Sequence, residues 1–155
     1  ITVYLAMIKN DALSTAIDNL AELNVSHVKL FKSANSVASI DENKLNKLKS
    51  YSIQASKQCE RADIMDVSII DKRQIKEDIS VYKNRFFAYE NSTQKITKFS
   101  GDFAVIIGPE GGFSSDEVEF FSSFAKNISL SKTILRAEVA CVSAVSALKA
   151  VSYES

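Results

Sequence analysis

Three of the chain's four glycines and its only proline stand in one short stretch, Gly108-Pro109-Glu110-Gly111-Gly112-Phe113. Glycine admits backbone conformations and close approaches that other residues forbid. The stretch is therefore either a tight turn and nothing more, or a place where main-chain groups come up against a ligand. It is not a phosphate-cradling P-loop, because no Gly-Lys-Ser/Thr follows, and it lacks the G-x-G-x-x-G spacing of a dinucleotide turn. The other reactive side chains read more plainly. His27 is the only histidine, and no acid or nucleophile is spaced to work with it, so it reads as a surface or edge residue. Cys59 and Cys141 are far apart, neither has a Cys or His neighbour at metal spacing, and no metal site is expected; two free thiols fit a reducing compartment. Read from residue types alone, Arg136 and Glu138 make an ordinary ion pair at a helix start, where the dipole suits Glu138. Lys44, Lys47, Lys49 and Lys57 fall on one helix face, either a solvated face or a set of phosphate contacts.

The elements around the glycine stretch place it in a fold. Phe103-Ala104-Val105-Ile106-Ile107 precedes it and reads as a buried strand. Ser114 and Glu117 follow at capping-box spacing and open a helix expected to run from Ser115 to about Lys126, with Val118, Phe121 and Phe124 inward. The turn thus sits at the carboxyl end of a strand, where α/β proteins tend to bind ligands. Further strands are expected over Ile1–Met7, Val25–Phe31, Val67–Ile70, Arg85–Tyr89 and Ile128–Leu130. A helix capped by Asp11 carries the stripe Leu13, Ile17, Leu20, Ala21 and Leu23. A longer helix opens at Asp41, carries Leu45, Leu48, Tyr51, Ala55 and Cys59 at three- and four-residue steps, and runs out at Arg61. Ser33–Ile40 and Asn91–Asp102 read as polar connections, and Asp71–Ser80 as a charged helical turn or two. The alternation of strand and helix predicts an α/β fold with a mainly parallel sheet flanked by helices. The last helix, Glu138–Val151, is apolar on almost every side. Such a helix is buried all round, which in so small a chain calls for a second copy, so a homodimer through the C-terminal helix is expected.

The composition is that of one ordinary globular domain: 155 residues, 46% hydrophobic and 25% charged. Formal net charge is zero and the pI about 6.8, so the totals give no support to a protein that lives on phosphate contacts alone. No apolar run reaches membrane-spanning length and no signal peptide is visible, which leads us to expect a cytoplasmic location and no membrane partner. The chain starts at Ile1 already in a strand-like run, and residues upstream of it are expected.

Two stretches together carry a family resemblance. Ile106-Ile107-Gly108-Pro109-Glu110-Gly111-Gly112-Phe113-Ser114 with Glu117, and Leu130-Ser131-Lys132-Thr133-Ile134-Leu135-Arg136-Ala137-Glu138-Val139-Ala140, resemble the two cofactor motifs of the RsmE family. These are bacterial methyltransferases of the SPOUT superfamily that modify a uridine of 16S ribosomal RNA. The first motif matches almost residue for residue. The second departs at Ser131, where the family usually has Gly, and at Ala137-Glu138-Val139-Ala140, where it has Thr-Glu-Thr-Ala. Weaker similarity covers Ala21–Val25 and Gln58–Arg61.

The resemblance implies one SPOUT domain over residues 1–155 with a C-terminal trefoil knot, an arrangement that general topology rules would not propose. It also implies a homodimer and an N-terminal PUA-like RNA-binding barrel that this chain lacks. S-adenosylmethionine would be held by Ile107, Gly108, Pro109, Glu110, Gly111, Gly112, Leu130, Ser131, Ile134, Leu135 and Arg136. The implied reaction moves a methyl group from a sulfonium to ring nitrogen 3 of uracil, so positioning supplies most of the acceleration. Arg136 would stabilise the charge left on the uracil carbonyls, and Glu138 would either orient Arg136 or accept the proton. Lys57, Arg61, Lys72, Arg73, Lys83 and Arg85 would meet phosphates of 16S RNA or the small ribosomal subunit, whose target base must leave its stack. Two other readings stay open. One is a ribose 2′-hydroxyl methyltransferase of the same superfamily, although its Ser-Leu-Asn run is missing from Ile134–Glu138. The other is a non-catalytic dimeric RNA or nucleotide binder, kept open by Ser131, Ala137 and Val139.

Overall fold

In the computed structural model, which describes residues 1–153, strand and helix alternate as the hydrophobic periods predict. Strand β1 (Thr2–Ala6) leads into α1 (Asn10–Glu22), β2 (His27–Phe31), α2 (Glu42–Gln58) and β3 (Asp66–Ile69). The charged segment that follows makes a 3-10 turn over Lys72–Gln74, one α-turn α3 (Ile75–Asp78) and a second 3-10 turn over Ile79–Val81. Then come β4 (Asn84–Ala88), the short β5 (Phe99–Ser100), β6 (Phe103–Ile107), α4 (Ser115–Ser122), β7 (Lys126–Ile128), α5 (Ala137–Val151) and the short β8 (Ser152–Tyr153).

Six strands form one sheet in the order β3-β2-β1-β6-β4-β7, and every pairing is parallel. All six strands therefore end at the same edge. The two central strands, β1 and β6, are buried along their whole length, which is why both read as continuous apolar runs. Val105 lies opposite Val3 on one side and Phe86 on the other. One face of the sheet, with Val3, Leu5, Leu30, Val105 and Ile107, is covered by α1, α2 and α5. The other face presents Tyr4, Ala6, Phe31, Phe87 and Ile106 to Ile75, Ile79, Phe121 and Ala125. A single turn such as α3 is not stable by itself. It is held down by its cargo of Ile75 and by Asp78, whose Oδ2 accepts from the Tyr4 hydroxyl at 2.5 Å and from Lys29 Nζ at 2.6 Å. Burial, with the Asp78 carboxylate beside it, pushes the Tyr4 phenol up, so it stays a neutral donor.

Several boundaries shift for local reasons. The Asp41 side chain caps α2 as expected, accepting from the Lys44 N–H at 2.8 Å. Asp11 does not cap α1: the helix starts two residues earlier than that cap implies, after Lys9, and Asp11 contributes charge in the first turn instead. Helix α4 stops at Ser122, because Lys126 belongs to β7, where it pairs with Phe86; the strand expected over Ile128–Leu130 lies two residues earlier. The connection read as wholly polar hides β5, which pairs with β8. Helix α5 buries Ala137, Cys141, Ala144, Val145 and Leu148, but not every side: Val139 is 44% exposed, and Ser146 and Ala150 face outward. Burial pushes the Cys141 thiol up to about 12, so it behaves as a small apolar side chain.

Candidate functional site

The shared carboxyl edge of the sheet gathers three segments around one cleft. The end of β4 supplies Ala88, Tyr89 and Glu90; the turn after β6 supplies Ile107, Gly108, Pro109, Gly112 and Phe113. The approach to α5 supplies Leu130, Ser131, Thr133, Ile134 and Leu135, and the first turn of α5 supplies Ala137 and Ala140. The space between these segments comes to about 620 Å³ when the open solvent at its mouth is included.

Backbone geometry explains the glycines. The Gly112 N–H donates to Pro109 O at 2.9 Å, closing the turn with Gly112 at φ +73°, a conformation costly for any residue with a side chain. A Cβ on Gly108 would lie 3.1 Å from the Phe113 ring, so glycine there lets the ring fold back over the turn. From outside, the loop after β2 fastens the turn: Asn35 Nδ2 donates to the carbonyls of Gly111 and Gly112 at 3.3 and 3.2 Å.

Glu117 ties the same region together from below. It is only 2% exposed. Its Oε1 accepts the Ser114 N–H at 2.9 Å, completing the capping box, while Oε2 accepts the Ala34 N–H and Lys72 Nζ, both at 3.1 Å. Burial alone would raise this carboxyl's pKa, but the donors from Ser114, Ala34 and Lys72 outweigh it and hold Glu117 below its usual value. The folded form therefore binds this proton less readily than the unfolded chain does. The stability that results is complete above the unfolded value of about 4.3 and is lost as pH falls through the lower folded value. Urea titrations from pH 7 to pH 3 are expected to show Glu117→Gln less stable than the native chain at pH 7, with the gap narrowing below about pH 4.3. A gap that stayed constant with pH would rule out the charged form as the source.

The residues named from sequence divide into groups. Ile107, Gly108, Pro109, Gly112, Leu130, Ser131, Ile134 and Leu135 line the cleft. Gly111 backs the turn against Asn35 instead. Glu110, Arg136 and Glu138 sit in a neighbouring charged depression with Lys9, Asp11 and Thr15, where Glu110 Oε1 accepts the Lys9 N–H at 3.2 Å. The Arg136–Glu138 ion pair read from residue types does not form among the described residues; Arg136 stands exposed at the cap position of α5. Sequence reading missed Ala88, Tyr89 and Glu90, because nothing local says that β4 ends beside β6. Phe113, Thr133, Ala137 and Ala140 were also missed, though each lies next to a named residue or in the same motif.

The six basic residues do not form one surface. Lys72 and Arg73 lie at the cleft's edge of the sheet, but Lys72 is bonded to Glu117 and Arg73 to Asp71, its Nη2 3.0 Å from Oδ2. Arg61 is not presented to a phosphate. Its side chain is 6% exposed, and Nη1 donates to Ala21 O at 3.2 Å and Val25 O at 2.7 Å, closing the corner between α1 and β2. Lys57, Lys83 and Arg85 stand at the opposite edge, at the end of α2 and the start of β4. Among the described residues no group of His, Cys, Asp and Glu is placed to hold a metal ion, and no helix is long and apolar enough to cross a membrane.

Comparison with known proteins places this geometry. Residues 1–149 match the RNA methyltransferase domain family. The chain is 32% identical over 158 aligned positions to the ribosomal RNA small subunit methyltransferase E of Rickettsia conorii, covering 96% of this chain and 64% of that protein. A candidate methyltransferase of Legionella pneumophila, solved with S-adenosylmethionine bound, superposes with a TM-score of 0.87 at 25% identity, over 98% of this chain and 67% of that one. The small-subunit methyltransferase E of Neisseria gonorrhoeae, also solved with the cofactor, superposes at 0.83 with 22% identity, over 96% and 65%. The chain thus spans less than two thirds of the length of the Rickettsia protein.

Proposed function

The chain belongs to the RNA methyltransferase domain family, and from that premise we propose that it binds S-adenosylmethionine in the cleft and methylates ring nitrogen 3 of a uridine in small-subunit ribosomal RNA. The observation that carries the reading is the convergence of the glycine turn and the Leu130–Leu135 segment on one cleft at the carboxyl edge of the sheet.

The residues present fit the cofactor. Ile107, Leu130 and Leu135 offer apolar walls for a flat ring, the glycine turn offers main-chain groups without side chains in the way, and Glu90 supplies a carboxylate suited to a positively charged ligand. The cofactor, when bound, supplies an electrophilic methyl group on sulfur. What the chain contributes is alignment and charge. Nitrogen 3 of uracil attacks only after losing its proton, which leaves negative charge on the flanking carbonyl oxygens. Arg136, exposed in the charged depression beside the cleft, is the cation we assign to that charge. Glu138 in the same depression orients Arg136 or takes the proton. The glycine turn and the segment before α5 are the knotted segments in this reading. The outward face of α5, with Val139, Ser143, Ser146 and Ala150, is small-residued and supports a homodimer that packs α5 closely against its copy. A ribosomal RNA substrate is in keeping with a cytoplasmic location.

Calorimetric titration of the chain with S-adenosylmethionine is expected to give saturable binding at about one site per chain. A folded sample that bound none would overturn the reading.

A further inference from the structure

We infer that Glu90 distinguishes the charged methyl donor from its neutral spent form, S-adenosylhomocysteine, by facing the donor's sulfonium. This rests on the cofactor reading of the cleft. Glu90 is the only charged one of the described residues that line the cleft. Among the described residues its carboxylate takes part in no hydrogen bond or ion pair, and it is exposed at the cleft's mouth. Its position is nevertheless set. The Tyr89 N–H donates to Ile128 O at 3.1 Å, the Tyr89 ring stacks on Phe87 with centroids 6.0 Å apart, and the Ser92 N–H donates to Tyr89 O at 3.0 Å, so Glu90 begins a turn whose base is anchored in the sheet. Glu90 Oε1 lies 3.6 Å from where a Cβ on Gly112 would stand, which puts the carboxylate over the glycine turn. Glycine at position 112 leaves that space free for a ligand.

Donor and spent cofactor differ by one methyl group and one positive charge. Apolar walls and main-chain donors grip the parts they share and hold both equally. A lone carboxylate responds to the charge. It does so in the ground state: during transfer the carbon–sulfur pair returns to sulfur, the charge there vanishes, and the attraction to Glu90 fades. Glu90 therefore raises affinity for the donor without speeding the chemical step. Its benefit lies in keeping product from holding the site.

The test is calorimetry of the native chain and Glu90→Gln, each with the two cofactors. The variant keeps the shape of the side chain and lies at an exposed position, and a thermal melt verifies its fold. The expected result is a roughly three- to tenfold weaker Kd for S-adenosylmethionine. The Kd for S-adenosylhomocysteine stays unchanged, so the preference for donor collapses. Equal weakening of both would overturn the inference, since the carboxylate would then bind a part they share, such as the ribose or the amino group. No change in either would overturn it as well. Failure of the native chain to bind either cofactor would remove the site itself, and that outcome is seen before any variant is made.

Discussion

Arg136→Ala is expected to slow methyl transfer by roughly 10²- to 10³-fold while moving the Kd for S-adenosylmethionine by no more than a few fold. The two halves of this expectation come from different places in the structure. Affinity is spared because Arg136 is not among the residues lining the cleft; it lies with Glu110, Glu138 and Lys9 in the depression beside it. In the proposed reaction turnover suffers because the negative charge developing on a uracil carbonyl oxygen loses its fixed cation, which a guanidinium brings with a fork of N–H donors. Arg136→Lys keeps the charge and loses the fork, so it should fall between the two. Single-turnover assays on small-subunit RNA, read beside calorimetry, separate the effects. A variant with full turnover would take Arg136 out of the mechanism.

Phe121→Ala should cost the fold about 3–5 kcal/mol. Phe121 is fully buried, and its ring meets those of Phe31, Phe87, Phe113, Phe120 and Phe124 at centroid distances from 5.2 to 6.2 Å. Helix α4 is short and attaches to the sheet chiefly through this side chain, so little can collapse into the space left behind. The melting temperature should fall by roughly 10 °C. The damage reaches the cleft as well, because Phe113 leans on Phe121 with one edge and walls the glycine turn with the other. Phe121→Leu, which keeps most of the volume, should lose about 1.5 kcal/mol or somewhat more and bind cofactor nearly as the native chain does. Equal losses in the two variants would show that volume is not what Phe121 contributes.

What could be read from the sequence was what depends on near neighbours. Ser114 and Glu117 are three residues apart, and their capping box forms as written. Asp41 caps its helix through a local contact, its side chain accepting the N–H three residues on. The apolar runs of β1 and β6 reveal central strands of a parallel sheet. Other features depend on partners far away in sequence. Glu90 joins the cleft only because β4 lies beside β6, and strand order is not written in either strand. Lys72 and Arg61 look like free cations until Glu117 and the carbonyls of Ala21 and Val25 are brought to them. Helix α5 is apolar in composition, yet the sheet covers only one of its sides.

The strand order also governs when the site comes into being. At the centre of the sheet, β1 pairs with β6 in a register that sets Thr2 opposite Ala104. No hairpin joins any two strands of that sheet, so each pairing must close a long loop before it is rewarded, the circumstance that slows folding to milliseconds or longer. The first three strands with α1 and α2 can assemble while the ribosome is still making the rest. Every described residue lining the cleft lies at Ala88 or later, in the half of the chain that is synthesised last. A nascent or half-folded chain therefore carries a partial sheet and no cleft, and cofactor can report only on molecules that have finished folding.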